Sequence, residues 1–292
     1  MRENRALNNN RNKHFVSAGE LGNHQNDPEW VIVDCRFDLM RPGAGRQAYD
    51  AGHIPGAVYA DLDRDLASPA ADDGSGGRHP LPDPNEFSRL LASWGVGPDS
   101  VVAAYDNAGG AVAARLWWLL RWLGHERVAV LDGGLDAWVA ADGALSTEIP
   151  QPIPANFEPR PGSMPVIDAG AVAAGLNDRD FMLLDARDVK RFNGRSEPID
   201  AIAGHIPGAF NTPYLDNLGA VKCFRPLTEI NAYYRARIGD RSMESVACMC
   251  GSGVTACHTL LALESAGMHG AALYVGSWSD WISSGQRPVA VE

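Results

Sequence analysis

Short apolar runs bounded by glycine and polar residues recur along the chain, separated by stretches with helical spacing. Val31 to Val33, Val101 to Tyr105 and Val128 to Leu131 have strand length and are rich in β-branched residues. Between the last two, Ala113 to Leu123 consists of helix formers with an apolar face and stops at Gly124. The second half repeats the succession, with Val254 to Ala266 as the matching helix and Gly267 as its stop. Alternating helices and continuously apolar strands predict the α/β class, with a parallel sheet covered by helices on both faces.

The alternation is an internal duplication. The first half contains Val31-Ile-Val-Asp34-Cys-Arg36, Gly52-His53-Ile-Pro-Gly-Ala57, a run ending in Asp106, and Leu131-Asp-Gly133-Gly-Leu-Asp-Ala-Trp138. The second contains Met182-Leu-Leu-Asp185-Ala-Arg187, Gly204-His205-Ile-Pro-Gly-Ala209, a run ending in Cys250, and Tyr274-Val-Gly276-Ser-Trp-Ser-Asp-Trp281. Asp34 to His53 spans 19 residues and Asp185 to His205 spans 20. Asp106 to Gly133 spans 27 and Cys250 to Gly276 spans 26. Four landmarks in one order at matched spacing place two copies of one domain in the chain. Prolines at 150, 152, 154, 159, 161 and 165 mark an extended linker over 149–165. The domains are therefore expected at 1–148 and 166–292.

Composition narrows the function. A chain of 292 residues with 45% hydrophobic positions can build two cores. Its formal charge of −11 opposes binding to nucleic acid or to an anionic membrane. No apolar run approaches the ~20 residues that a membrane span needs. The polar start, Met1 to Lys13, lacks the apolar core of a signal peptide and reads as a weakly ordered leader. Five cysteines, an odd number with no framework spacing, fit a reducing cytoplasm.

One cysteine stands apart. Cys250 sits where a strand ends and a helix begins, the edge of an open α/β sheet at which ligands bind. Gly251, Ser252 and Gly253 let the backbone curl so that several N–H groups face one point, and the helix beginning near Val254 and Thr255 adds its positive end. Both features favour a thiolate, and equally a persulfide anion on the same sulfur. Cys35, Cys223, Cys248 and Cys257 read as core residues. Zinc held by Cys248, Cys250, Cys257 and His258 lacks the paired spacing of structural zinc sites, and no Cys-x-x-Cys dithiol is present. A cysteine phosphatase needs an arginine to close the loop, and here Ala256 and Cys257 stand in that place.

These motifs, spread from about Val31 to Trp281, closely resemble the tandem-rhodanese sulfurtransferases, which comprise thiosulfate and 3-mercaptopyruvate sulfurtransferases. The resemblance implies two rhodanese-like domains. The C-terminal one carries a persulfide on Cys250, and the N-terminal one is a silent copy with Asp106 in the cysteine's place. It implies ping-pong transfer of sulfur to a thiol or cyanide acceptor, thioredoxin among the thiols, with no metal or organic cofactor. Enzymes selective for thiosulfate carry basic residues directly after the cysteine. Neutral Gly251 and Ser252 point to 3-mercaptopyruvate, with thiosulfate, or loading by a protein partner, as the alternatives. Ser252 aligns with a serine of a proton relay, for which His53 is the candidate partner. Its copy His205 weighs instead toward a role in the turn. Arg191 aligns with the arginine that binds the donor's anion. A second family arginine has no counterpart at its aligned place, and Arg195 is the candidate substitute. Arg187 and its copy Arg36 read as ion-pair partners of Asp185 and Asp34. A binding module without activity is the remaining class, opposed by the intact Cys250 loop.

Overall fold

The computed structural model describes residues 14–292, so the polar leader lies outside the described residues. The first half forms a parallel five-stranded sheet from β1 (Phe15–Val16), β2 (Trp30–Asp34), β3 (Val58–Tyr59), β4 (Val101–Tyr105) and β5 (Val128–Leu131), in the order β1-β5-β4-β2-β3. The second half repeats it with β6 (Val166–Ile167), β7 (Met182–Asp185), β8 (Phe210–Asn211), β9 (Val246–Met249) and β10 (Ala272–Tyr274), in the order β6-β10-β9-β7-β8. The identical order in both sheets carries the duplication from sequence into topology. Residues 149–160 run without helix or strand along the first domain, where Ala155 N–H donates to Ala92 O and Arg160 N–H to Leu123 O. No helix among the described residues is long and apolar enough to cross a membrane.

Strand periodicity sorts the core. Val102 and Ala104 of β4 point to one side of the sheet, while Val101, Ala103 and Tyr105 point to the other. In β9, Val246 and Cys248 share the side of Cys250, while Ala247 and Met249 join a separate cluster around Trp278 and Trp281. The inner faces of both sheets, with the helices Ala113–Trp122 and Thr255–Ser265, form one continuous apolar cluster. Both helices are apolar over most of their circumference because each is covered by its own sheet and by the other half. The two domains are thus bound by shared core as well as by the linker.

Each half also sends a loop onto the other. From the first, Gly76 N–H donates to Asp280 Oδ1 at 3.1 Å and Arg78 N–H to Ser279 Oγ at 3.0 Å. Gly77 between them has φ +78, and a Cβ there would lie 2.3 Å from Gly276 O, so only glycine lets the chains touch. From the second, Phe224 N–H donates to Asp132 Oδ1 at 2.8 Å and Lys222 Nζ to Asn107 O at 2.8 Å.

Candidate active site

The site is built on the turn after β9. Cys250, buried at 2% exposure, is pinned through its main chain: its N–H donates to Ser277 Oγ at 3.1 Å, and its carbonyl accepts from Trp278 N–H at 3.0 Å. Gly253 has φ +76, and a Cβ there would lie 2.3 Å from Val275 O, which forces the tight return into the helix Thr255–Ser265. None of the N–H groups from Gly251 to Thr255 meets a protein oxygen among the described residues. The first half shows what such amides do. Asp106 occupies the equivalent place, and its carboxylate accepts from the N–H groups of Ala108, Gly110, Val112 and Ala113 at 2.8 to 3.0 Å. The first half thus fills its own anion cradle with a side chain, whereas the second leaves the cradle to the cysteine sulfur.

Ser252 is buried, and its hydroxyl lies 2.7 Å from Nδ1 of His79. His79 Nε2 in turn lies 2.9 Å from Asp63 Oδ1. The carboxylate accepts, so the proton sits on Nε2 and the bare Nδ1 accepts from the Ser252 hydroxyl. Burial pushes the His79 imidazole down to about 4, helped by the Arg115 and Arg78 guanidiniums and opposed by Asp63. The ring is therefore neutral at pH 7, which this pattern of donors requires.

The structure corrects the reading of His53. Its Nδ1 lies 2.7 Å from Tyr49 O and its Nε2 3.0 Å from Glu148 O, and the ring stacks on Tyr49 at 3.8 Å. Both nitrogens are used by main-chain carbonyls of its own domain. His205, bonded to Phe192 O and stacked on Phe192, repeats the arrangement. The motif histidines fasten a turn, and His79 takes the place proposed for His53. Arg187 and Arg36 pair with Asp185 and Asp34 at 2.7 and 2.6 Å, as read from the sequence.

Arg191 reaches the loop and Arg195 does not. A Cβ on Gly251 would lie 3.5 Å from both terminal nitrogens of Arg191. Arg195 is exposed, and a second guanidinium arrives instead from the other domain: Arg78 Nη2 would lie 3.4 Å from that Cβ. Asp200 joins the two, accepting from Arg78 Nη1 at 2.6 Å and from Arg191 Nη2 at 2.7 Å, and Glu197 accepts from Arg191 Nε at 3.0 Å. A basic side chain at position 251 would meet two cations, which accounts for its neutrality. Arg115, fully buried on the helix Ala113–Trp122, donates to Gly253 O, His79 O, Pro80 O and Leu66 O. It ties the cysteine loop to the segment that carries His79.

The other cysteines and His258 find structural places. Cys35, Cys248 and Cys257 are buried, and burial pushes the Cys257 thiol up to about 12. Cys223 departs from the core reading: it is only half-buried, at the wall of a surface cavity of about 580 Å³. His258 Nε2 bonds Gly109 O at 3.0 Å, and its Nδ1 lies 3.3 Å from Asn217 Nδ2.

A family model described as "Rhodanese-like domain" matches residues 17–141 and 168–284, both halves of the chain. The chain belongs to the rhodanese-like family. Among relatives of this family, a Pseudomonas aeruginosa protein named for 3-mercaptopyruvate sulfurtransferase activity is 46% identical over 277 residues, covering 94% of this chain and 97% of that one. A Mycobacterium tuberculosis relative named for thiosulfate sulfurtransferase activity is 36% identical over 284 residues, covering 94% and 96%. The solved 3-mercaptopyruvate sulfurtransferase from Leishmania major superposes with a TM-score of 0.83 at 30% identity, covering 97% of this chain and 78% of that one. The rhodanese-like match leaves out 142–167, which contains the whole proline-rich connection.

Proposed function

We propose that this protein is a sulfurtransferase that takes sulfur from 3-mercaptopyruvate onto Cys250 and passes it to a thiol, thioredoxin included, or to cyanide. The carrying observation is the hydrogen-bonded row Ser252, His79, Asp63 beside the cysteine loop. A thiosulfate donor has no use for it: the thiolate attacks the outer sulfur, the S–S bond breaks, and sulfite leaves without needing a proton. Mercaptopyruvate does need one. The Cys250 thiolate attacks its sulfur, an S–S bond forms, the S–C bond breaks with its electron pair, and the enolate carbon must be protonated to leave as pyruvate. The donor's own thiol proton balances that step. Ser252 and His79 offer the path from sulfur to carbon, with Asp63 stabilising the imidazolium while it holds the proton. The persulfide anion left on Cys250 faces the same kind of amide cradle that holds the Asp106 carboxylate. An acceptor then attacks its outer sulfur and restores the thiolate. Five cysteines without a disulfide agree with a reducing compartment such as the cytoplasm.

The test compares kcat/KM for 3-mercaptopyruvate and for thiosulfate with cyanide as acceptor. The wild type is expected to favour mercaptopyruvate by at least about tenfold, and Cys250→Ser to lose both activities and its cyanide-labile sulfur. A preference for thiosulfate would overturn the donor assignment. Turnover by Cys250→Ser would overturn the mechanism.

A further inference from the structure

Asp200 occupies an unusual position for a carboxylate, because it bridges the two guanidiniums that face the cysteine loop. Its side chain is 2% exposed and its two oxygens take one N–H each, from Arg78 of the first domain and Arg191 of the second. Glu197 is nearly as deeply buried and grips the other edge of Arg191. The donors aimed at Gly251 remain free: neither Arg78 Nη2 nor Arg191 Nη1 has a hydrogen-bond acceptor among the described residues. Arg78 Nε is buried and unpartnered as well. A pair of unsatisfied, charged donors turned toward the cysteine loop calls for an anion. The local charge sum limits which anion. Arg78 and Arg191 are paired with Asp200 and Glu197, and Arg187 with Asp185, while the buried Arg115, which has no carboxylate partner, offsets the Cys250 thiolate, so the pocket is formally neutral before a donor enters.

We propose that Arg78 and Arg191 form a carboxylate clamp spanning the two domains, and that the Asp200 carboxylate makes this clamp selective for monoanionic over dianionic donors. The proposal rests on the sulfurtransferase reading above. Asp200 orients both guanidiniums so that each turns its outer edge to Gly251. It also repels a second negative charge on the donor. The keto-acid thiol carries one charge, which two guanidinium edges can hold against one internal carboxylate. Thiosulfate carries two, and the second meets Asp200 and Glu197 in a site shielded from water, where a charge pair a few ångströms apart changes affinity by on the order of tenfold or more. Arg78 thereby supplies the cation that the second domain lacks.

The experiment measures kcat and KM for both donors in the full-length protein carrying Asp200→Asn or Arg78→Gln. Asp200→Asn is expected to lower KM for thiosulfate at least about tenfold, while KM for mercaptopyruvate moves less than about threefold. Arg78→Gln, at a residue with a quarter of its side chain exposed, is expected to raise KM for mercaptopyruvate at least about tenfold with kcat reduced far less. Parallel changes for the two donors, or no change, in whichever variant folds would overturn the clamp. Persulfide on Cys250, read from the mass of the intact protein after incubation with mercaptopyruvate, separates the levels: a wild type that loads no sulfur overturns the function itself. One that loads normally while Arg78→Gln keeps its KM overturns only the clamp.

Discussion

Replacing Asp63 by asparagine tests the proton path most directly, because it removes one charge and leaves the shape nearly unchanged. Asp63 does two things for His79: it fixes the proton on Nε2, and it stabilises the imidazolium while the ring carries the donor's proton. At an effective dielectric near 20, a charge pair about 4 Å apart is worth roughly 4 kcal/mol. The Asp63 side chain is 55% exposed, so solvent screens the pair, and half of that figure, about 2 kcal/mol, is the reasonable share. Loss of tautomer control adds about 1 kcal/mol, since a hydrogen bond to a charged acceptor is replaced by one to a neutral amide that can also turn its donor side inward. The total of about 3 kcal/mol corresponds to roughly a hundredfold loss of kcat. That loss is expected with mercaptopyruvate only. Thiosulfate, whose leaving group takes no proton, should lose less than about threefold, and it serves as the control for folding and for Cys250 reactivity. Steady-state kinetics with both donors decide the matter, supported by the rate of Cys250 alkylation. Equal losses for the two donors would refute the relay, and so would an unchanged kcat for mercaptopyruvate.

Two further outcomes concern stability. His79 and His258 are both buried and held near 4, against about 6.5 in an unfolded chain, so below pH 6.5 the unfolded state takes up protons that the native state cannot. Stability is expected to fall as pH drops from about 6.5 to 4, by roughly 3 kcal/mol for each ring at 1.36 kcal/mol per pH unit, and a urea midpoint unchanged between pH 7 and 4.5 would contradict this. Asp106→Ala leaves four backbone N–H groups without their charged acceptor in a place that is 1% exposed. A loss of at least about 4 kcal/mol in chemical denaturation is expected, and an unchanged midpoint would show that the amides find other partners.

The fold was legible because its signals are local and repeated. Apolar runs such as Val101 to Tyr105, stop glycines at 124 and 267, and two Gly-His-Ile-Pro-Gly turns mark the same units twice. Cys250 was legible for the same reason, through its glycine-rich turn and its mismatch with Asp106. The proposed relay was not, because His79 and Asp63 join Ser252 only through contact across the domain interface, 173 and 189 residues away in sequence. The resemblance offered His53 as the candidate, and its copy His205 already weighed against it, because repetition is what a turn needs in both domains. A residue acting in one site only should lack a functional copy. Arg78-His79-Pro80-Leu81 meets that criterion: its counterpart in the second half is Phe224-Arg225-Pro226-Leu227, where the cation-histidine pair is absent.

That counterpart also bears on why both halves persist as full domains. The loops holding His79 and Phe224 cross the interface in opposite directions, each reaching the cradle loop of the other domain, His79 at Ser252 and Lys222 at Asn107 O. In one direction the crossing loop delivers Arg78 and His79, while Arg115 reaches the cysteine loop from the neighbouring helix. In the other it delivers Phe224, whose ring packs against Phe15 and His258. Two equivalent crossings have thus diverged, one toward chemistry and one toward packing. Arg115 sits where the consequences meet, since one side chain holds Gly253 O of the cysteine loop and His79 O of the relay. None of its hydrogen bonds goes to a carboxylate, so an uncancelled positive charge lies buried between the cysteine loop and His79. A catalytic domain cut away from its silent copy would keep Cys250, Ser252 and Arg191. It would lose the relay histidine, the clamp's second arginine and the buried cation together, along with the apolar faces of the two interlocked helices.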